Sequence, residues 1–241
     1  IGILKSTDKG NTWNNVGLLD SHHIGRILIN PNNPNEVIVG VLGHLYSPNE
    51  ERGIYKTIDG GETWTNMGLP ESGHIGRIRI DPKNSNIVYV AALGHLYKDN
   101  PERGVYKTTN GGRTWSKVLS VKRDDGKDIG VVDLAMHPTN SNVLIAAAYD
   151  KIRTPWTFNE GGHGSGIYKS TNGGRTWDKL GGGLPTGFLG RIGIDFAASD
   201  PNVIYANVEN VNVEGIDFEE RKRMLTVGIP LSRRQRVVRI L

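Results

Sequence analysis

Apolar and β-branched positions along this chain fall in short runs, each closed by Pro, Asn or Gly. The clearest stretch predicts four strands: residues 75–80 (IGRIRI), ended by the turn Asp81-Pro82-Lys83-Asn84; 87–93 (IVYVAAL); 104–108 (GVYKT); and 114–119 (TWSKVL). Runs at roughly 8–12-residue spacing, with turn formers between them, are the pattern of antiparallel sheet. No stretch sustains the period of a helix. Pro and Asn sit where a missing N–H donor or a left-handed residue is tolerated.

The same pattern returns along the chain. An eight-residue turn occurs as STDKGNTW, TIDGGETW, TTNGGRTW and STNGGRTW, ending at Trp13, Trp64, Trp115 and Trp177, so successive tryptophans lie 51, 51 and 62 residues apart. A fixed period of this size implies stacked copies of one supersecondary unit. Four antiparallel strands per copy make a β-propeller blade. The chain reads as a partial blade (1–17), full blades at 24–67, 75–118 and 129–180, a partial blade at 190–208, and a basic insertion or tail at 209–241.

Within each turn the first acidic or amide position has a structural task. Asp8 and Asp59 can accept backbone N–H bonds, Gly61 supplies a positive φ, and Trp13, Trp64, Trp115 and Trp177 bury a ring against the blade. Asn110 and Asn172 stand in for the aspartate in the last two copies. That keeps an acceptor oxygen and removes the charge, as a turn tolerates and a metal ligand or general acid does not. All four tryptophans are therefore expected in equivalent buried places.

The turn resembles the Asp-box, or BNR repeat, S-x-D-x-G-x-T-W, and the surrounding blades are similar to bacterial Asp-box proteins labelled "glycosyl hydrolase" or grouped with the sortilin-type propeller. The resemblance covers residues 1 to about 208 and implies an all-β propeller with more blades than are present here. This chain is then expected to be a fragment of a larger ring whose remaining blades are its partners. A second possibility is arithmetic: the half-blades at the two ends sum to one, and pairing them would close a four-bladed ring without exposed edges. The resemblance also implies a secreted, periplasmic or cell-surface protein.

Composition narrows the partners. There is no cysteine, which excludes disulfides, and no apolar run approaches the roughly 20 residues that cross a bilayer. The net charge is +4, but residues 221–241 hold seven Lys/Arg and no acid, so the rest carries −3. A basic tail without interleaved aromatics gives no stacking platform, and a nucleic-acid partner is not expected. Residues 218–225 (FEERKRML) can make two helical turns, followed by a β-like 236–241.

Function is expected on the end of the blades opposite the Asp-box turns, where fourth-to-first and second-to-third strand loops gather. Arg26, Arg77 and Arg191 align at the start of the innermost strands, with Asp133 in the equivalent place of the intervening blade. Guanidiniums there suit a carboxylate or sulfate through planar forked donors, or else each pairs with a neighbouring acid. His44 and His95 recur in Gly-His-Leu-Tyr loops. The third blade has 11 extra residues, five before Asp133 and six after Pro138, and one enlarged loop carries Arg153, Trp156 and Glu160. Trp156 can stack on a sugar or an extended peptide, or pin its loop as a core anchor.

No His-x-x-x-His pair occurs and the adjacent His22 and His23 point apart in an extended strand, so no metal is expected, and no cofactor is implied. Glu51-Arg52 and Glu102-Arg103 match between blades and are expected as structural ion pairs. Asp133 and Glu160 do not repeat and are the candidates for an acid and a base. The resemblance to sialidases is incomplete, because their Arg-Ile-Pro motif is absent. Three readings stay open: a propeller binding a glycan or peptide, a sialidase- or xyloglucanase-like glycoside hydrolase, and a scaffold for protein assembly.

Overall fold

The computed structural model describes residues 2–47 and 49–210, and the backbone of 234–240. It is a β-propeller of antiparallel blades. A half-blade comes first, with β1 (Leu4–Lys5) paired to β2 (Asn14–Asn15). The next sheet runs β3 (Ile24–Asn30), β4 (Asn33–Val41), β5 (Gly53–Thr57), β6 (Thr65–Asn66), and the one after it β7 (His74–Asp81), β8 (Asn84–Gly94), β9 (Gly104–Thr108), β10 (Ser116–Leu119). A single turn of 3-10 helix, Pro70–Ser72, leads into β7.

The third full blade has five strands: β11 (Val121–Lys122), β12 (Asp128–Met136), β13 (Leu144–Tyr149), β16 (Gly166–Ser170) and β17 (Asp178–Lys179). Its extra residues became hairpins. One is the β11–β12 turn; the other is a separate ribbon of β14 (Ile152–Arg153) and β15 (Phe158–Asn159). In the last sheet β18 (Leu189–Phe196) pairs with β19 (Ile204–Asn210), and β20 (Arg234–Ile240) takes the third place beside β19. The helical turns expected at 218–225 lie outside the described residues.

Strand β20 also decides the ring question. It fills the edge of β19 that a closed four-bladed ring would give to β1, whereas β1 pairs with β2 alone among the described strands. The four-blade closure is not formed.

The core lies between blades, which explains the near-continuous apolar runs. In β13, Leu144, Ala146 and Ala148 pack with the preceding blade's Tyr89, Ala91 and Val105, while Ile145, Ala147 and Tyr149 pack with Ile192, Ile194 and Phe196 of the following one. Successive residues of a strand face opposite sides. A strand with a blade on each side therefore needs apolar residues at both parities. At the start of the chain, where only a half-blade precedes β3, Ile27 and Ile29 are exposed.

The Asp-box turns form as their residues dictate. Thr57 Oγ1 donates to Asp59 Oδ1 (2.6 Å) and accepts from Gly61 N (2.9 Å), while Thr63 N and Oγ1 donate to the two carboxylate oxygens (3.0 and 2.5 Å). Asp8 repeats this with Ser6 and Thr12. In the amide copies one bond reverses: Asn110 Nδ2 donates to Thr114 Oγ1 (2.8 Å) and Asn172 Nδ2 to Thr176 Oγ1 (2.7 Å). A hydroxyl both donates and accepts, so either side chain closes the turn.

The tryptophans are less uniform than expected. Trp64 and Trp115 donate to carbonyls of the preceding blade, Val16 O (2.6 Å) and Met67 O (2.7 Å), and are half-buried. Trp177 is half-buried but bonds its own Gly174 O, and Trp13 bonds its own Gly10 O with 59% of its surface exposed. The ring is covered by the preceding blade, and none is described before β1.

The turn donors hold Asp8 down to about 2 and Asp59 lower still, Thr12 and Thr57 respectively contributing most. A depressed carboxylate stabilises fully above its unfolded value near 3.8 and loses that contribution as pH falls through the folded value. We expect the double variant Asp8→Asn, Asp59→Asn to match the parent at pH 7 and to lose less stability between about pH 4 and 2. Urea midpoints across that range check it; parallel curves would show that the turns carry no charge-linked stability.

Candidate functional site

Each innermost strand, β3, β7, β12 and β18, has a register irregularity at the same place: between Ile24 and Arg26, Ile75 and Arg77, Val131 and Asp133, Leu189 and Ile192. A bulge re-aims the side chain beside it. Here it turns the aligned charges toward the next blade. Arg26 Nε donates to Gly76 O (2.5 Å), Arg77 Nε to Asp133 Oδ1 (2.7 Å), and Ile194 N to Asp133 Oδ2 (3.1 Å). Glycine at 76 is required by close approach, because a Cβ there would run into the backbone carbonyl of Val132.

The group is electrostatically continuous. Arg26 is lowered by burial and then by Arg77, with Arg191 also felt, whereas Arg77 is raised chiefly by its bond to Asp133. Arg79, which the sequence did not single out, lies in the same field beside Arg77, Asp195 and Asp133. Arg191 is exposed on β18. The structure thus brings Arg26, Arg77, Asp133 and Arg191 together around the inner strands, with Arg77 and Asp133 paired across a blade seam.

The second-to-third strand loops are built by a repeated G-H-L-Y-x-x-N-x-E-R-G segment. In the first, His44 N donates to Asn49 Oδ1 (2.9 Å), Asn49 Nδ2 to Asp20 O (2.7 Å), and Arg52 Nη2 to the carbonyls of His44 (2.6 Å) and Ser47 (3.0 Å). Asn100 and Arg103 do the same around His95. The expected Glu51–Arg52 and Glu102–Arg103 pairs are therefore replaced: both arginines satisfy carbonyls that a curled loop leaves without sheet partners, Arg103 also meets Asp99 (3.2 Å), and Glu102 accepts from Asn100 (3.1 Å). Burial pushes Glu51 up, and its Oε2 is buried without a hydrogen-bond partner. Side-chain amide scaffolding leaves no pattern in hydrophobicity, so Asn49 and Asn100 were missed.

These loops hold their tyrosines outward. Tyr46 and Tyr97, 51 positions apart, stack with centroids 5.8 Å apart and planes at 21°. The β14–β15 ribbon of the next blade reaches over them: Arg153 lies 5.4 Å from the Tyr97 ring and 5.3 Å from that of Phe158. Thr154 N bonds Thr157 O (2.8 Å), which closes the tip and presents Trp156. Tyr46, Tyr97, Arg153, Trp156 and Phe158 line one cavity of about 540 Å³. Trp156 is 84% exposed and Tyr46 82%. Trp156 is no core anchor.

Beneath the ribbon, Arg123 bridges Asp150 (2.9 Å) and Asp99 (3.2 Å), tying the second and third full blades. Lys151 is buried and lowered to about 8 by that burial, with Arg103 and Arg153 adding to it. Glu160, half-buried at the foot of the ribbon, and Asp133, in the inner seam, sit on different elements.

The candidate histidines meet carboxylates: His44 Nε2 lies 3.0 Å from Asp20 Oδ1, and His95 Nε2 lies 3.1 Å from Glu71 Oε2. In the first loop a third group joins, the His22 ring standing 3.9 Å from that of His44. Ligand atoms of Asp20, His22 and His44 all lie within 4.8 Å of one another. No helix among the described residues is long and apolar enough to cross a membrane.

Known proteins share this architecture. The chain is 26% identical to a xyloglucanase of Paenibacillus sp. over 215 residues, 81% of this chain and 19% of that protein, and 30% identical to a xyloglucanase of Acetivibrio thermocellus over 195 residues, 70% and 21% respectively. It spans about a fifth of their length. Among solved structures it resembles an ancestral GH74 enzyme (TM-score 0.64, 22% identity, 88% of this chain and 25% of that one) and the GH74 enzyme of Niastella koreensis (0.58, 21%, 86% and 30%), a likeness that shows the propeller fold. The model of the family described as "Sortilin, neurotensin receptor 3" matches residues 2–124 and again 52–215, and the chain accordingly belongs to the Sortilin-Vps10 family of Asp-box propellers.

Proposed function

We propose that this chain forms part of an extracellular propeller and binds a polysaccharide on the end of the blades opposite the Asp-boxes. The observation that carries the reading is the aromatic strip: Tyr46, Tyr97 and Trp156, from loops of three successive blades, stand exposed along one cavity with Arg153 and Phe158. Exposed rings held in place by a rigid scaffold offer apolar faces to sugar rings at little entropic cost. Relatives named as xyloglucanases favour a glycan over a peptide.

Arg26, Arg77, Arg191, His44 and His95 are assigned to the same end, the arginines at the inner rim and the histidines beneath the tyrosine loops. Hydrolysis is the second reading, favoured by the xyloglucanase relatives. Glu51, pushed up by burial and unpartnered at one oxygen, is better suited to donate a proton than Asp133, whose carboxylate accepts from Arg77 and from backbone N–H groups. Because this chain spans a fifth of those relatives, the binding reading is the one its own residues support.

Titration with xyloglucan oligosaccharides, followed by calorimetry and by tryptophan fluorescence in the parent and in Trp156→Phe, tests the proposal. Saturable binding with a fluorescence change is expected. Binding only of extended peptides, or of neither, would reject the glycan reading, and release of reducing ends would favour hydrolysis.

A further inference from the structure

The loop that begins the first full blade contains a residue that its backbone does not favour. His22 has φ +47°, and the aligned residue one blade later is Gly73 at φ +61°. A side chain in the left-handed region is strained, and such strain gathers where a side chain has a task. Elsewhere the two loops agree: Asp20 aligns with Glu71, His23 with His74, His44 with His95 and Asn49 with Asn100. The first copy differs in adding an imidazole where glycine would sit without strain.

Its surroundings are those of a ligand set. His44 Nδ1 is 2.9 Å from Ser47 Oγ, and Nε2 faces Asp20 Oδ1 at 3.0 Å. Asn49 Nδ2 holds the second oxygen of Asp20 at 3.2 Å. Both ring nitrogens of His44 are thus faced by oxygens, and Nε2 is the one aimed at the carboxylate. The second blade sets His95 against Glu71 and has glycine, not an imidazole, at position 73. In the first, two imidazoles converge on one carboxylate.

We propose that Asp20, His22 and His44 bind a divalent first-row transition cation of the zinc type. Two imidazoles and a carboxylate are the donors such an ion takes, and three protein ligands leave a fourth position open to water or ligand. Bonds of about 2.0–2.2 Å bring tetrahedral ligand atoms to roughly 3.3 Å apart, so donors now within 4.8 Å need only side-chain rotation. Ser47 on the far nitrogen of His44 is the outer partner that orients the ring. His23 is not part of the set: its Nδ1 is 3.1 Å from Gly43 O. Two residues beyond His44 lies Tyr46, so the ion would order the outermost ring of the aromatic strip.

The test uses the whole chain with Zn2+, and with Co2+ as a spectroscopic probe. The parent is expected to bind one Zn2+ by calorimetry, to melt higher with Zn2+ than with EDTA, and to give Co2+ visible bands of tetrahedral type. His22→Gly restores the residue that the second blade carries. It should fold as well as the parent in EDTA, bind Zn2+ at least about 10-fold more weakly, and lose the Co2+ bands. His95→Ala, in the loop lacking the third ligand, should bind like the parent. Binding in His22→Gly equal to the parent's, equal losses in His95→Ala, or no Zn2+ binding by the parent would each overturn the site.

Discussion

Asp133→Ala is expected to cost about 3 kcal/mol of stability, measured by urea unfolding at pH 7. The carboxylate is buried and accepts from Arg77 Nε, from Leu134 N and, across the seam, from Ile194 N. Truncation leaves a guanidinium and two buried N–H groups without that acceptor. Each stranded donor costs about 1–3 kcal/mol, and the charge term is discounted because about a third of Arg77 is exposed to solvent. Asp133→Asn keeps the shape and one acceptor oxygen and should lose about half as much. A double-mutant cycle with Arg77→Ala separates the ion pair from the seam bond to Ile194. If Asp133→Ala stays within about 0.5 kcal/mol of the parent, the seam carries no weight and the aspartate is free for other work.

The same residue shows where the sequence speaks and where it stops. Asp133 stood out because it broke an arginine series, and the break is real: one acidic position gives the neighbouring arginine a partner. Alignment along the chain could not show that the partner came from the adjacent blade. The Asp-box, in contrast, was legible, because the bonds that close the turn on Asp59 and Thr57 join residues two to four positions apart. Strand positions were legible too, because burial on both faces leaves unbroken apolar runs such as 144–149. Tryptophan burial was legible only in part. Trp13 and Trp64 close the same turn motif, and their exposure differs because a ring is covered by the blade before it.

The functional end divides along the same line. Trp156 and Arg153 were visible as an insertion that broke the repeat, whereas Tyr46 and Tyr97 were concealed by repetition. A residue recurring in each blade suggests packing, yet here the recurring part that packs is His, Asn and Arg, and the tyrosine between them is what the loop presents. His22 was read as one of two adjacent histidines. Its φ, set beside that of Gly73, and its ring 3.9 Å from that of His44 separate it from its neighbour, and both come from folding rather than from the order of residues.

Trp156→Ala is expected to weaken binding of xyloglucan oligosaccharides at least about tenfold, roughly 1.4 kcal/mol, while the melting temperature stays within about 2 °C of the parent. The ring is 84% exposed at the tip of a two-stranded ribbon, so its removal uncovers no core. What it takes away is the largest apolar face of the cavity. Trp13→Ala is the internal control, since that ring is also exposed but sits in an Asp-box turn at the other end of the blades, and its loss should leave binding unchanged. Ionic strength adds a second axis. Stacking on a neutral glycan is insensitive to salt, whereas a carboxylate held by Arg153 would bind more weakly as screening shortens to about 3 Å at 1 M salt. A salt-insensitive affinity lost in Trp156→Ala and kept in Trp13→Ala identifies a neutral sugar on the aromatic strip; equal losses in both variants, or unfolding of Trp156→Ala, would remove the strip from the binding site.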